Sequence, residues 1–516
     1  MNRAFCNTCK KLVPADRDER DGKVFLVKHC PECGDTESLV SADAQRHMGK
    51  RSLDPGYEYH RCGRMNCVSC THHRHPSYAF VDVTNRCNLN CPMCADSVGG
   101  YGFAFDPPMY CFDKIFDHLE KIDPLPTIAL FGGEPTVRDE LLDIIANARA
   151  RGFRTRVLTN GVRLADEEYC RKIVASRAHL LFSYDGDNPE TYRVMRNSAK
   201  VLEKKKQAIE NLKKSKRAPR VSYVTVLAWG LNEEELPQII DFYHSQRRFL
   251  HGVYLMPLVH TWDTEEFGYA PERMTTEDVE VLFSQAFPDT DVQFISLGLA
   301  SHYRTISKYF GRPSMPYYGC HPNCESFYML ISDGEKYLPV DHFLKTSLPE
   351  VAEALLDLER RLIAREERRG RVTLWLRTLG RIQTITTVLR HVKLGAFFKG
   401  KGIGKVGHFL AMLFGVLFRR KSLPLRERHM NVQNALPIII LPLEDDQIIE
   451  TDRLERCCSV HVYYDPRTDA INYIPVCSWR LHNHALVREL KDAFEAQADG
   501  KKTDPQPEEA EAPAEA

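Results

Sequence analysis

The sequence predicts an α/β protein whose central part is a parallel sheet curved into an incomplete barrel. Two observations carry this prediction. Six short apolar stretches alternate with amphipathic helical stretches, which is the pattern of parallel strands joined by helices. Seventeen cysteines, most of them in C-x2-C, C-x3-C and C-x4-C groups, precede, interrupt and follow that pattern. We therefore expect a partial (β/α)6 barrel of the TIM type between an N-terminal rubredoxin-like knuckle and a C-terminal cluster-binding region.

The six predicted strands each lead into a loop of polar residues or glycines. The strands cover residues 78–83, 127–131, 154–158, 179–182, 221–227 and 253–258, and residues 140–151 and 190–213 are predicted helices between them. Barrels of this kind hold their reactive groups at the carboxyl ends of the strands. The loops that follow the strands are therefore the candidate site.

The overall composition points to a protein of the reducing cytosol. Hydrophobic residues make up 43% and charged residues 27% of the 516, and the net charge of zero indicates no particular partner. Residues 1–13 contain no apolar run that would act as a signal peptide. Disulfides seldom persist in the cytosol, so we expect the grouped cysteines to bind metal ions or clusters.

The first cysteines form two C-x2-C pairs separated by twenty residues: Cys6 with Cys9, and Cys30 with Cys33. Each pair can curl round one ion, and Gly34 relieves the backbone after the last thiolate. Four thiolates make a tetrahedral site for zinc or a single iron. The site either only stabilises a small domain or, with iron, passes electrons as rubredoxin does.

The first barrel strand runs into a C-x3-C-x2-C loop that contains Cys87, Cys91 and Cys94. Three thiolates would bind three irons of a 4Fe–4S cluster and leave the fourth iron open to a small molecule. A fourth cysteine from elsewhere, or a zinc site, is the alternative.

This loop resembles the cluster loop of the radical S-adenosylmethionine (SAM) superfamily, and the resemblance extends over roughly residues 78–260. It implies that SAM chelates the fourth iron. It also implies that an electron from the cluster, supplied by a flavodoxin- or ferredoxin-type reductant, cleaves SAM to a 5′-deoxyadenosyl radical that abstracts hydrogen. The chain departs from the family in one place, since Met93 stands where an aromatic residue is usual.

The loops after the next strands extend the resemblance. One is similar to the family's GGEP motif, whose glycines let backbone groups approach a ligand and whose carboxylate can meet an ammonium group. Two others resemble positions that contact the carboxylate or ribose of SAM, although ordinary polar residues at strand ends are the alternative. The implied cofactor-binding residues are Gly132, Gly133, Glu134, Pro135, Asn160, Ser183 and Asp185.

Eight further cysteines are enough for two auxiliary 4Fe–4S clusters. They are Cys62, Cys67, Cys70, Cys320, Cys324, Cys457, Cys458 and Cys477. A single auxiliary cluster is the alternative, because adjacent cysteines at 457 and 458 would point opposite ways along a strand and one would then be structural. A histidine at 72, 73 or 75 could also replace a thiolate. We interpret Cys111 and Cys170 as buried, unreactive thiols.

Residues 360–428 form a basic insert with eighteen lysines and arginines against three acidic residues. Its apolar run at 409–418 would reach about 15 Å as a helix, too short for a hydrocarbon core of about 30 Å. We expect it to bind an anionic membrane surface from the cytoplasmic side. A solvated helical hairpin and an RNA-binding patch are alternatives, but we expect no nucleic-acid partner.

The complete cysteine layout resembles the tetraether lipid synthase group and is similar to related proteins described as pterin methyltransferases. The resemblance implies an enzyme that couples the hydrocarbon tails of membrane lipids through sp3 carbon–carbon bonds, with an auxiliary cluster sulfur trapping the first alkyl radical. Methylation or rearrangement of a pterin or other small molecule is the alternative within this class. A membrane-docked iron–sulfur electron carrier is the alternative outside it.

These features divide the chain into seven segments. They are the knuckle (1–45), an auxiliary-cluster segment (46–77), the barrel (78–270), an auxiliary-cluster region with the C-x3-C group (271–350), the basic membrane-surface insert (351–430), a cluster-capping region (431–495) and a disordered tail (496–516).

Overall fold

The computed structural model describes residues 2–56, 76–259, 269, 272–311, 320–370, 373–400, 402–417, 425 and 428–503. Its N-terminal part is a four-stranded antiparallel sheet in the order β1-β2-β3-β4. The strands are β1 (Arg3–Phe5), β2 (Leu12–Arg20), β3 (Lys23–Cys30) and β4 (Gly34–Ser41). The C-x2-C pairs lie at the β1–β2 and β3–β4 turns, so the predicted four-cysteine knuckle is confirmed.

A second, mostly parallel sheet forms the body of the protein. Its strands are β5 (Tyr78–Thr84), β6 (Thr127–Gly132), β7 (Arg154–Thr159), β8 (His179–Ser183), β9 (Val221–Leu227), β10 (Leu250–Pro257), β11 (Ile295–Ser296), β12 (Ser326–Ser332), β13 (Tyr337–Pro339), β14 (Asn434–Ile440), β15 (Ser459–Asp465) and β16 (Ala470–Pro475). Strands β5 to β10 are the six predicted strands, and they pair in parallel in sequence order.

The C-terminal region lengthens this parallel sheet at both edges. Strand β15 pairs in parallel with β5, and β14 pairs in parallel with β10. Two antiparallel strands then flank the parallel set, β16 beside β15 and β12 beside β14. The partial barrel predicted from the sequence is therefore present, and segments from far along the chain extend it.

Helices connect the strands, and several of them pack their buried residues against the sheet in the main core. They are α1 (Ala44–Ser52), α2 (Met109–Leu119), α3 (Leu141–Ala150), α4 (Glu167–Ala175), α5 (Pro189–Arg196), α6 (Lys200–Lys214), α7 (Leu236–Ser245), α8 (Thr276–Gln285), α9 (Arg304–Tyr309), α10 (Leu348–Arg369), α11 (Leu374–His391), α12 (Leu394–Phe397), α13 (Ile403–Leu417), α14 (Thr451–Leu454), α15 (Val476–Trp479) and α16 (Asn483–Thr503). The single helix predicted over 190–213 is wrong, because Asn197 adopts a left-handed conformation (φ 59°) and ends α5 before α6 begins.

The alternation of side chains along β6 shows how the sheet separates core from cavity. Ile128 and Leu130 are fully buried and belong to the main hydrophobic core, which also contains residues of the covering helices. Ala129 and Phe131 face the opposite side and line a cavity. The period of two in the strand therefore directs every second residue towards the site.

The basic insert begins as a helical hairpin. Helix α10 starts at a capping box made by Ser347 and Glu350 and packs against α11. Helix α13 has 15 residues, and the described part of the chain contains no helix with the length and apolar character needed to cross a membrane.

Candidate active site

The loop that carries the three cysteines of the C-x3-C-x2-C group is closed by Asn85. Its side chain donates to Phe103 O at 3.0 Å and accepts from Phe105 N at 2.7 Å, which joins the two ends of the loop. Thr84 Oγ1 donates to Asp106 Oδ1 at 2.5 Å. These hydrogen bonds hold together the two ends of the loop that carries the cysteines.

The two glycines after β6 pack directly against this loop. Gly133 N donates to Thr84 O, and Glu134 N donates to Arg86 O, both at 2.8 Å. A Cβ on Gly132 would lie 2.1 Å from Thr84 O, and one on Gly133 would lie 2.2 Å from Arg86 O. Both positions therefore require glycine because they lie so close to the backbone of the cysteine loop.

The Glu134 carboxylate is only 1% exposed and is bonded within the protein. Oε1 accepts from Thr136 N at 3.1 Å, Thr136 Oγ1 at 2.6 Å and Thr159 Oγ1 at 2.7 Å, and Oε2 accepts from Asn160 N at 2.6 Å. Burial raises the pKa of Glu134. The carboxylate joins the turn after β6 to the end of β7, at the wall of the cavity.

Lys205 on α6 connects the ends of β7 and β8. Its ammonium group is fully buried and donates to Asn160 O at 2.8 Å and Ser183 Oγ at 2.7 Å, and also to Ser183 O. Burial, together with the nearby Arg196, lowers the pKa of Lys205 to about 7. On the other side, Asn160 Nδ2 donates to Asn88 Oδ1 at 2.7 Å and lies 4.0 Å from Cys87 Sγ.

Asp185 binds the neighbouring Arg196 and so positions it. Its Oδ2 accepts from Arg196 Nε at 3.0 Å and Nη2 at 2.8 Å, and its Oδ1 accepts from Val226 N at 3.1 Å. The Arg196 guanidinium also lies within hydrogen-bonding reach of Cys91. Burial lowers the pKa of Arg196, but Asp185 and Cys91 outweigh it and the net shift is upward. Asp185 thus positions a cation beside one cysteine of the loop.

A cavity of about 370 Å³, open to solvent, joins this loop to the distal cysteines. Its wall contains Cys87, Cys91, Cys94, Gly132, Gly133, Glu134, Asn160, Ser183, Cys320, Cys324, Cys457, Cys458 and Cys477. Pro135 and Asp185 lie outside this lining. The remaining predicted auxiliary positions, Cys62, Cys67 and Cys70, and His72, His73 and His75, lie outside the described residues.

Five distal cysteines therefore come from three separated stretches to one end of the cavity. The thiol of Cys320 is within hydrogen-bonding reach of Cys324 and Cys458, and Cys457 lies close to Cys477. The prediction that residues 457 and 458 lie in a strand and point opposite ways is wrong. Both precede β15 in a non-repetitive segment, so both can face the cavity.

The N-terminal module contacts two of the three stretches that carry these cysteines. Arg17 on β2 pairs with Glu450 and, at 3.2 Å, with Asp452 in the segment before Cys457. Asn323 Nδ2, inside the C-x3-C group, donates to His47 O on α1 at 2.9 Å. The N-terminal module therefore makes direct contacts with the segment before Cys457 and with the C-x3-C group.

Lys50 provides a second contact from α1. Its buried ammonium pairs with Glu277 at 2.8 Å and Glu280 at 2.5 Å, and donates to Ser326 Oγ at 2.9 Å, two residues after Cys324. Burial lowers the pKa of Lys50, but the two carboxylates outweigh it and raise the pKa.

The four knuckle cysteines form a compact metal site. The ligand atoms of Cys6, Cys9, Cys30 and Cys33 all lie within 4.8 Å of one another, as a tetrahedral zinc or iron ion requires. Gly34 has φ +77° after the last cysteine, as the sequence predicts. Cys111 and Cys170 are buried in the main core, away from these groups, and their interpretation as buried thiols is confirmed.

The C-x3-C-x2-C loop fits a cluster by the chemistry of its donors. Burial raises the pKa of Cys87 to about 11 and of Cys94 to about 12, so thiolates there require nearby positive charge. Iron ions supply such charge, and metal binding deprotonates the thiols it uses. Leu89 N donates to Cys87 Sγ at 3.4 Å, which also favours the thiolate. Sequence reasoning missed Arg196 and Lys205, since neither lies in a recognisable motif.

Two family models match the chain. Residues 81–243 match the radical SAM superfamily, and residues 2–42 match the HMPTM N-terminal zinc ribbon domain. Together with the partial barrel and the cysteine loop, these matches define a radical SAM enzyme with an N-terminal zinc ribbon. Its class implies SAM and a 4Fe–4S cluster as cofactors.

Among curated proteins, the chain is similar to 7,8-dihydro-6-hydroxymethylpterin dimethyltransferase of Methanocaldococcus jannaschii. The identity is 26% over 503 residues, and the match covers 94% of each chain. It is also 36% identical over 96 residues to the tungsten-containing aldehyde ferredoxin oxidoreductase cofactor-modifying protein of Pyrococcus furiosus, covering 17% of this chain and 25% of that protein. Among solved structures, TYW1 with a lysine-pyruvate adduct bound has 18% identity and a TM-score of 0.30, covering 54% of this chain and 88% of that chain.

Proposed function

We propose that this radical SAM enzyme methylates a small heterocyclic substrate of the pterin class at carbon. The 5′-deoxyadenosyl radical would remove the carbon-bound hydrogen as 5′-deoxyadenosine, a second SAM would give the methyl group and leave as S-adenosylhomocysteine, and the reductant would supply the electrons. The observation that carries the proposal is the similarity to the hydroxymethylpterin dimethyltransferase, which spans 94% of both chains and includes the zinc ribbon. An isolated barrel match would support only the superfamily, because many substrates are handled on one fold.

The site residues have separable tasks in this proposal. A cluster bound by Cys87, Cys91 and Cys94 supplies the electron that cleaves SAM. The turn at Gly132 and Gly133 fixes the backbone of the cysteine loop, and Glu134 fixes that turn to the end of β7. These contacts keep SAM-facing groups in place before substrate arrives, which is how a preorganised site lowers the cost of reaction.

The distal cysteines lie in the same cavity as the cysteine loop, so an auxiliary cluster there would be beside the substrate. We propose that Cys320, Cys324, Cys457, Cys458 and Cys477 supply ligands to one or two such clusters, with the second needing cysteines from outside the described residues. Arg453 helps to hold this end, since its guanidinium contacts Cys324 and pairs with Glu444 at 2.8 Å.

The test is product analysis with purified, iron-loaded enzyme. A hydroxymethylpterin, SAM and a reductant are incubated anaerobically, and the pterin is analysed by mass spectrometry beside the Cys87→Ala variant. A pterin that gains one or two methyl groups only with the wild-type enzyme supports the proposal. Active SAM cleavage with an unmodified pterin contradicts it.

A specific observation favours a second candidate, the coupling of lipid tails. Helix α13 exposes Ile403 (89%), Val406 (54%), Leu410 (55%) and Phe414 (53%), which lie on one side of the helix. An apolar stripe within a strongly basic insert is suited to an anionic membrane surface, and the cavity is lined by many apolar side chains. Under this proposal the enzyme is peripheral at the cytoplasmic membrane face and draws its substrate from the bilayer.

Lipid mass spectrometry on a host that expresses the chain distinguishes the two candidates. Two joined lipid tails that have lost two hydrogens, absent from the Cys87→Ala host, would support tail coupling. Replacing Leu410 and Phe414 by glutamate should then reduce binding to anionic vesicles, and unchanged binding would contradict membrane docking through α13.

A further inference from the structure

A buried carboxylate in the cavity has one oxygen that no described residue satisfies. Glu325 follows Cys324 and is 6% exposed, and its side chain lines the cavity. Its Oε2 is buried and accepts no hydrogen bond from the residues that the structure describes. Buried polar atoms in native proteins nearly always have a partner, and leaving one without any is destabilising. This carboxylate is therefore placed for a ligand that donates hydrogen bonds.

The neighbouring arginine is engaged elsewhere. Arg156 on β7 donates to Tyr254 Oη at 3.0 Å, and its guanidinium lies 4.6 Å from the centre of the Tyr78 ring. Arg156 lies near enough for its charge to act on Glu325. Tyr254 and Tyr78 thus hold the cation, while the Glu325 side chain lines the cavity.

The same cavity has aromatic walls. Phe80 and Phe131 lie on adjacent strands with ring centres 5.8 Å apart, and Phe80 stacks on His461 with centres 5.4 Å apart. All three side chains line the cavity with Glu325. Aromatic walls suit a flat ring, and two carboxylate oxygens suit two parallel N–H donors, the geometry of a bidentate pair.

We propose that Glu325 is the substrate-recognition residue of this cavity, and that its carboxylate accepts hydrogen bonds from the paired N–H donors of a 2-amino-4-oxopyrimidine edge. The inference rests on the proposed function and names the contact that selects a pterin. A hydrocarbon tail offers no donor, so it would leave the carboxylate unpaired.

The experiment measures binding by anaerobic calorimetry with the iron-loaded full chain. The probes are 6-hydroxymethylpterin and 6-hydroxymethyllumazine, in which an oxygen replaces the 2-amino group. We expect the wild-type protein to prefer the pterin by about tenfold or more, because the lumazine lacks one of the two paired N–H donors. Glu325→Gln should lose this preference, whereas Glu335→Gln, an exposed carboxylate in the same β12–β13 hairpin, should keep it.

Any other outcome would overturn either the recognition role of Glu325 or the proposed function. Equal binding of both probes by the wild-type protein, or an unchanged preference in Glu325→Gln, would overturn the recognition role while leaving pterin alkylation standing. Loss of iron in Glu325→Gln would overturn it in favour of a carboxylate that ligates a cluster. Failure of the wild-type protein to bind either probe would overturn the proposed function and this inference together.

Discussion

The contact between Gly133 and the cysteine loop makes a sharp prediction for Gly133→Ala. The added Cβ would lie 2.2 Å from Arg86 O and 2.6 Å from Arg86 C, and neither backbone atom can rotate away. Relief requires the loop to shift, which weakens the two backbone hydrogen bonds between Thr84–Arg86 and Gly133–Glu134. Those bonds contribute about 0.5–1.5 kcal/mol each, and overpacking costs about 1–3 kcal/mol, so the total is about 2–6 kcal/mol.

Because Arg86 precedes Cys87, the shift should appear first as loss of the radical cluster. We expect Gly133→Ala to hold less iron, to form little 5′-deoxyadenosine and to unfold at a lower temperature. The matched control is Gly49→Ala on α1, where a Cβ meets nothing within 4 Å and the helix should be unaffected or slightly more stable. Full iron content, normal SAM cleavage and an unchanged melting temperature in Gly133→Ala would show that the added Cβ does not displace the cysteine loop.

Three further predictions follow from separate contacts. Cys87→Ala should abolish 5′-deoxyadenosine formation while auxiliary iron remains. Cys324→Ala should keep SAM cleavage but stop product. If the two variants behave identically in iron analysis and product assays, the radical and auxiliary clusters do not have separate roles. Asp185→Asn should cost about 3–5 kcal/mol in denaturant unfolding, since it leaves the buried Arg196 charge without its partner; a loss below about 1 kcal/mol would contradict that pairing. Cys9→Ser should speed amide hydrogen exchange in residues 450–458 as well as in the ribbon, and an effect confined to the ribbon would show that the contacts of Arg17 with this segment do not stabilise it.

Local sequence was sufficient for most of the barrel. Apolar runs bounded by glycines and polar residues define β5 to β10, and the observed bounds differ from the predicted ones by only a few residues, as with Leu250–Pro257 against 253–258. Strands β14 and β15 could not be assigned from such patterns. Their partners β10 and β5 lie far away along the chain, and nothing local specifies which edge each strand joins.

In the candidate site, too, local sequence predicts some features and the folded structure is needed for others. The cysteine spacing identifies the loop, but the reason for Gly132 and Gly133 depends on the loop backbone that packs against them. Asp185 resembles a cofactor contact in sequence and in the structure holds Arg196. No sequence pattern marks Glu325, because a glutamate beside a cysteine is not a motif. That no described residue bonds to its Oε2 is a property of the folded cavity.

The most direct test of pterin methylation is to measure which substrate stimulates SAM cleavage. Iron-loaded wild-type enzyme is assayed for 5′-deoxyadenosine with a hydroxymethylpterin and, separately, with vesicles of membrane lipid, each beside Cys87→Ala. We expect stimulation by the pterin and a methylated pterin product. Stimulation by the vesicles alone, with joined lipid tails as product, would contradict it.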